Sequence, residues 1–307
     1  MNLYISNSLC LLHDNGLHHP ETAERVSRIK DQLICAQMFD WFAHHESRAA
    51  TNDEIALVHH PKLIDELEAK VPKSGVVEIA EDVNLCPDSI QAAKYAVGAV
   101  LDGIDAVDSG DFKRVFCNVR PPGHHAEYDE AQGFCFFNNV AIGAAYAIEK
   151  YGYKRVAIID FDVHHGNGTE SYARKQPKVW FGSSFEFPLY PFTEPKSDID
   201  NMVKLPLEKY SNGEVFRQAW SDTGLPALEK FKPELILISA GFDGHALDPM
   251  GNLQLHEFDF AWITAEIGKI ADQHSGGKIV SVLEGGYDLG ALSVSAREHI
   301  RTLFELD

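Results

Sequence analysis

What most restricts the fold of this chain is a set of short, nearly continuous apolar runs separated by helical patterns. The runs are Val115–Val119, Val156–Phe161, Lys178–Ser183, Leu235–Ser239 and Lys278–Leu283. A strand with one wet face alternates apolar and polar residues, whereas a strand covered on both faces reads apolar throughout. Between and after the runs, Asn139–Tyr151, Gly213–Phe231, His256–His274 and Leu289–Leu303 read as helices. Strand–helix alternation of this kind predicts a mostly parallel sheet between helical layers, a three-layer α/β/α architecture. Upstream, Asn2–Ser6 reads as a first strand, and His13 to Pro20 as a loop whose His18 and His19 could be ligands but are expected to be solvated. Glu21–Gln37 is a helix with Ala23, Val26, Ile29 and Leu33 on one face, and shorter helices are expected at Asp53–His59 and Lys62–Lys70. A Gly/Pro-punctuated loop runs through Cys86-Pro87, after which Asp88-Ser89 caps a helix to about Val107. No repeat, low-complexity tract or linker interrupts the chain, so residues 1–307 are expected to form a single domain.

Composition removes several function classes. With 45% hydrophobic and 24% charged residues the chain is an ordinary globular protein. A formal charge of −19 argues against nucleic acid, whose phosphates need a basic surface, and is compatible with cationic substrates. The five cysteines are scattered and never paired as C-x-x-C, the usage of a reducing compartment. No basic segment precedes Leu9–Leu12 and no apolar run approaches membrane-spanning length. The expected location is therefore cytoplasmic, with no membrane partner.

Chemistry concentrates where the apolar runs end, which in a parallel sheet is where ligands bind. In Arg155–Gly168 the run meets Asp160, Asp162 and His164. Side chains alternate faces along an extended chain, so these three project to one side. Gly166 and Gly168 then let the backbone turn before Thr169-Glu170 opens a helix. Carboxylate-x-carboxylate-x-imidazole suits Zn²⁺ or another divalent first-row metal. The competing reading is a helix cap flanked by two solvated histidines. Three other runs also end in polar, glycine-rich segments: Arg120-Pro-Pro-Gly-His-His125, Ala240-Gly-Phe-Asp243-Gly-His245 and Glu284-Gly-Gly-Tyr287.

Together with Gly133-Phe-Cys-Phe-Phe-Asn-Asn139, these segments resemble the zinc-dependent histone deacetylase family, in its order and spacing. His19-Pro20-Glu21 to Arg25 and Cys86-Pro87 resemble its earlier segments, so the likeness covers nearly the whole chain. The Gly-Asn-Gly sequence and compact length are most similar to the class II and bacterial branch, which includes acetylpolyamine amidohydrolases. The resemblance implies the arginase/deacetylase fold. It implies one catalytic Zn²⁺ held by Asp162, His164 and Asp243, with a position left open. It implies His125 as general base and then acid, His124 as its electrostatic partner and Tyr287 as oxyanion donor. Asp160 matches the group that holds His124. Asn167 faces His125 where other branches carry Asp, which should make His125 less basic. By the same resemblance a structural K⁺ would lie near Asp160, Asp162, His164 and Ser183.

For the substrate, Gly133 and Phe134 resemble one wall of an acyl-lysine tunnel and Tyr190 is placed like the other, although both aromatics are also plausible core residues. Asp82 is placed like a rim residue that accepts from the substrate backbone. Ser183-Ser-Phe185 and Phe192-Thr-Glu-Pro195 depart from the family pattern at the rim. His245, His256 and His274 receive no role. The reading is an amidohydrolase that removes acetyl or related acyl groups from lysine side chains of a peptide or protein. The alternative is the same chemistry on acetylated polyamines. A polyamine enzyme of this family carries a glutamate after an Asp-Pro pair; here Asp248-Pro249 is followed by Met250, which favours the peptide, unless Glu186 or Glu194 reaches the rim. An inactive acyl-lysine-binding module is disfavoured by the intact motif set. An arginase-like binuclear manganese site is disfavoured because Gly-Gly-Tyr287 adds no carboxylates.

Overall fold

The computed structural model describes residues 1–306. The chain opens with β1 (Asn2–Ser6), α1 (Glu24–Cys35) and β2 (Ala43–Glu46). Two short helices follow, α2 (Asn52–Ile55) and α3 (Pro61–Lys70), then the hairpin β3 (Val77–Ala80) and β4 (Val83–Leu85). From α4 (Ser89–Ser109) the alternation is regular: β5 (Arg114–Asn118), α5 (Asn139–Tyr151), β6 (Val156–Asp160), α6 (Asn167–Lys175) and β7 (Val179–Glu186). β8 (Met202–Leu207) then follows β7 with no helix between, and α7 (Gly213–Ala219) and α8 (Leu225–Phe231) lead to β9 (Leu235–Ala240). The last elements are α9 (Glu257–His274), β10 (Ile279–Leu283) and α10 (Leu289–Leu303).

The main sheet has eight strands in the order β2-β1-β5-β10-β9-β6-β7-β8. Every pairing within it is parallel, so the sheet is wholly rather than mostly parallel. The apolar runs divide by parity between two cores. Val115, Val156, Ile158, Leu235, Leu237, Val280 and Val282 pack under α4 and α5, whereas Phe116, Ile159, Ile236, Ile238 and Leu283 pack under α1, α9 and α10. Each such side chain, removed from water on both faces of the sheet, contributes about 1.5–3 kcal/mol.

Departures from expectation have local causes. Helix α1 starts at Glu24, because Glu21 is drawn inward to the buried guanidinium of Arg120. After Ile55 the Asp53–His59 pattern does not continue as helix. The two edge strands, β2 with its exposed His44-His-Glu46 and β8 with Pro206, lack the two-sided apolar pattern and were not foreseen, nor was the β3–β4 hairpin. Gly213–Phe231 is helical throughout but passes through a π turn at Trp220–Gly224. Pro226 has no N–H to return to the preceding turn, and the wider turn accommodates it.

One consequence of strand order matters most for the site. Strands β5, β10, β9 and β6 are consecutive neighbours in the middle of the sheet. Since all are parallel, their four polar ends emerge side by side.

Candidate active site

Asp162 and His164 leave the end of β6, and Asp243 leaves the end of β9, the adjacent strand. One ligand atom from each lies within 4.8 Å of the others, and all three residues are buried. Backbone donors aim the carboxylates: Gly285 N–H donates to Asp162 Oδ2 at 2.8 Å and Val163 N–H to Asp243 Oδ1 at 2.9 Å. His164 Nδ1 is 3.0 Å from Asp162 Oδ1 and 3.2 Å from Asp243 Oδ2. The second approach is poorly aligned, and among the described residues Asp243 Oδ2 is buried without a hydrogen bond. Burial and the charge of Asp162 push the Asp243 carboxyl up to about 7, against the pull of His164. Two carboxylates forced together out of water, one oxygen unpartnered, are a donor set short of a cation. A Cβ at Gly285 would collide with both carboxylates, so the loop can close over them only with glycine.

The paired histidines stand on the β5 end. His124 Nδ1 is 2.9 Å from Asp160 Oδ2, and His125 Nδ1 is 2.8 Å from Asn167 Oδ1. Their rings lie 4.0 Å apart, yet their environments drive them in opposite directions. For His124, burial disfavours the charge, but Asp160, Asp162 and Glu284 outweigh it and hold the imidazole well above its ordinary value. For His125, burial comes first and the charges of His124 and His164 add to it, holding the ring well below. One histidine is thus disposed to carry charge and its neighbour to offer a lone pair.

His124, His125 and His164 line a cavity of about 440 Å³ together with Gly133, Phe134, Tyr190, Met250, Asp82 and Tyr287, among others. Gly133 and Phe134 both sit in the left-handed region, with φ of 55° and 67°. A Cβ at Gly133 would strike the His125 ring, and the turn aims Phe134 across the cavity at Tyr287, 5.9 Å between centroids. The Tyr190 ring stands edge-on to His125 at 5.0 Å. Asp82, φ 56°, occupies the β3–β4 turn at the mouth. His19, expected to be solvated, is half-buried: its Nδ1 accepts the Glu21 N–H at 3.0 Å and its ring packs edge-on against Phe134 at 4.6 Å. Ser183 gives its hydroxyl to a contact with His165 Nδ1 at 3.0 Å. His245 and His256 meet edge-to-face beside Glu257, but His245 Nδ1 is occupied by the Leu247 N–H, and the group lies apart from the cavity.

One expectation is corrected. Glu186 does not reach the rim: it is buried at the end of β7, where it accepts from the Asn252 backbone at 2.6 Å and side chain at 2.8 Å. Glu194 is exposed and not among the cavity residues. The acidic groups at the mouth are Glu81 and Glu130, beside Asp82.

Several supporting residues were not assigned from sequence. Glu284 accepts from the backbone of Gly123 (2.7 Å) and His124 (3.2 Å), fixing the histidine loop. Asp248 accepts from the backbone of Tyr287 (2.6 Å), Asp288 (3.0 Å) and Met250 (3.0 Å), holding both sides of the cavity. Arg25, fully buried, donates to the carbonyls of Gly286 (2.6 Å) and Glu284 and sets its guanidinium 4.8 Å from the Tyr287 ring. The signal for Glu284 and Asp248 was a carboxylate directly before Gly-Gly or Pro in a site loop.

The wholly parallel sheet between helical layers, with buried acids and imidazoles beyond its central strands, is the arginase/deacetylase fold. The histone deacetylase domain matches residues 19–303, and the chain belongs to the histone deacetylase family. It is 31% identical to the histone deacetylase-like amidohydrolase of Pseudomonas aeruginosa, covering 92% of this chain and 81% of that protein. It is 36% identical to histone deacetylase 6 of Caenorhabditis elegans over 91% of this chain, but spans 31% of that longer protein. The crystal structure of the HDA15 HD domain superposes with a TM-score of 0.92 at 30% identity, covering 99% of this chain and 88% of that one.

Proposed function

We propose that the protein is a zinc-dependent amidohydrolase that removes an acetyl or related acyl group from the side-chain amine of a lysine in a peptide or protein. The observation that carries this reading is the convergence of Asp162, His164 and Asp243, with His164 reaching a cavity that His125 and Tyr287 also line. Bound there, zinc would supply a Lewis acid that polarises the amide carbonyl and makes a water nucleophilic at neutral pH. His125, held neutral, takes the proton of the attacking water on the nitrogen facing the cavity and returns it to the departing amine. His124, held as imidazolium by Asp160, stabilises the negative charge that develops. The Tyr287 hydroxyl donates to the carbonyl oxygen as it becomes an oxyanion. Phe134, Tyr190 and Met250 offer apolar surface along which four methylenes can lie, excluding water from the reacting amide.

A second reading, the same chemistry on an acetylated polyamine, is favoured by one observation: Glu81, Asp82 and Glu130 all border the mouth, where a distal ammonium would emerge. Met250 argues for the peptide, because the residue after Asp248-Pro249 brings no charge. The test uses purified protein, stripped by a chelator and titrated with zinc, on an acetyl-lysine peptide and on acetylspermidine. We expect turnover to vanish on stripping and return near one equivalent, with the higher kcat/KM on the peptide. Undiminished turnover by the stripped protein would refute the metal assignment, and a tenfold preference for acetylspermidine would select the second reading.

A further inference from the structure

The geometry points to Glu127 as a positioning residue that fixes the tautomer of His125 through Asn167. This rests on His125 being the base of the proposed reaction. Asn167 Oδ1 is 2.8 Å from His125 Nδ1, and the same amide donates from Nδ2 to Glu127 Oε1 at 3.0 Å, with only a long contact of 3.5 Å to the His125 carbonyl beside it. An amide is ambivalent: rotated by half a turn it would present its NH₂ to the imidazole instead, and Nδ1 would then have to accept. Asn167 alone therefore does not decide which ring nitrogen carries the proton. An ionised carboxylate only accepts, so Glu127 admits one orientation of the amide. With the NH₂ held towards Glu127, the Asn167 oxygen faces Nδ1, the imidazole proton stays on Nδ1, and the Nε2 lone pair is left on the far side of the ring.

His124 needs no such relay, since Asp160 meets its Nδ1 directly at 2.9 Å. Glu127 is free for the task. Among the described residues its carboxylate accepts from no donor other than Asn167, while its backbone separately anchors the loop through His59 Nδ1 (2.7 Å) and Glu130 (2.9 Å). The substitution Glu127→Gln keeps size and backbone contacts but removes the acceptor-only end of the chain. Both amides can then turn over together, and part of the population carries its proton on Nε2, which cannot act as a base.

The experiment is a cycle of Glu127→Gln, Asn167→Asp and the double variant, reading kcat, KM and bound zinc, with ¹⁵N-histidine spectra assigned against His125→Ala. We expect Glu127→Gln to lower kcat about ten- to hundredfold, the usual effect of a partner that orients a site imidazole, with KM and zinc content unchanged. Its spectrum should show His125 shifting from the Nδ1–H form towards Nε2–H. In the Asn167→Asp background the carboxylate is itself acceptor-only, so adding Glu127→Gln should cost less than about twofold and leave a proton on Nδ1. Equal losses in the two backgrounds, or an Nδ1–H spectrum unaltered by Glu127→Gln, would overturn the relay. Parental turnover by His125→Ala would instead overturn the base assignment, and the spectra would still decide the tautomer.

Discussion

Tyr287→Phe separates catalysis from folding more cleanly than any other single change at this site. The ring has structural partners: the Arg25 guanidinium at 4.8 Å and Phe134 at 5.9 Å, edge-on. Its backbone N–H is held by Asp248 Oδ2 at 2.6 Å. The hydroxyl has none; among the described residues it makes no hydrogen bond, and it belongs to a residue lining the cavity. Burial pushes its ionisation well above the ordinary value, with Arg25 opposing, so it stays a proton donor throughout the working range. Phenylalanine keeps the ring and its packing against Arg25 and Phe134, and the stability change should stay within about 0.5 kcal/mol. Loss of one oxyanion donor removes on the order of 10²–10³ from turnover, about 3–4 kcal/mol of transition-state stabilisation. The assay is kcat and KM on an acetyl-lysine peptide, with zinc content and thermal midpoint measured on the same preparation. A variant with parental kcat, or one whose activity falls only in proportion to lost zinc, would refute the donor role.

Met250→Glu places a carboxylate where the sequence has an apolar side chain. An ion pair with a distal ammonium at a few ångströms is worth roughly 1–4 kcal/mol between bulk-like and protein-like dielectric, so kcat/KM on acetylspermidine relative to peptide should rise about tenfold; no change would place Met250 outside the path of the distal charge. Arg25→Met removes a fully buried guanidinium that donates to Glu21 and to the Gly286 and Glu284 carbonyls. Breaking such a pair from one side costs about 3–5 kcal/mol, read as a lower urea midpoint, and a loss under about 1 kcal/mol would contradict the network. His299 is buried between the hydroxyls of Thr264 (2.6 Å) and Ser281 (2.8 Å), and burial lowers it to about 3. A base depressed in the fold contributes stability that is present above its unfolded value, about 6.5, and lost as pH falls towards 3. The stability advantage of the parent over His299→Gln should therefore shrink between pH 6.5 and 4, and a difference independent of pH across that window would show that His299 does not titrate on unfolding.

What could be read in advance divides along a physical line. Asp162, His164 and Asp243 were legible because strand ends restrict where side chains can point and because two carboxylates with an imidazole have few other uses. Their convergence needed more. β10 comes last among the strands yet lies between β5 and β9, and only that insertion puts Tyr287 beside His124 and Asp243. Strand order depends on long-range pairing, which apolar runs of similar composition do not encode singly. The residues that aim the machinery left weaker traces still. Glu284, Asp248 and Glu127 act by accepting N–H groups, and a carboxylate that accepts from backbone or amide reads in sequence like any solvated acid.

The mouth shows why this limit falls hardest on substrate choice. Glu186 and Glu194 belong to the segment that departs from the family pattern, yet Glu186 is turned inward by Asn252. Charge reaches the mouth from the β3–β4 turn, through Glu81 and Asp82, and from Glu130 in the loop after the paired histidines. These come from separate segments, more than forty positions apart in sequence, and meet only after the sheet has formed. A gatekeeper defined by one position after Asp248-Pro249 thus samples one side of the opening. Coulomb energy at an exposed mouth depends on distance and solvent rather than on which strand supplies the carboxylate, so Glu81 and Glu130 can attract a cation that Met250 does not. In the proposed reading the two sides of the mouth would meet different features of a substrate: Met250 the methylenes within the cavity, the carboxylates positive charge beyond it. A lysine flanked by basic residues satisfies both sides, which is why the acidic mouth does not by itself displace the peptide reading.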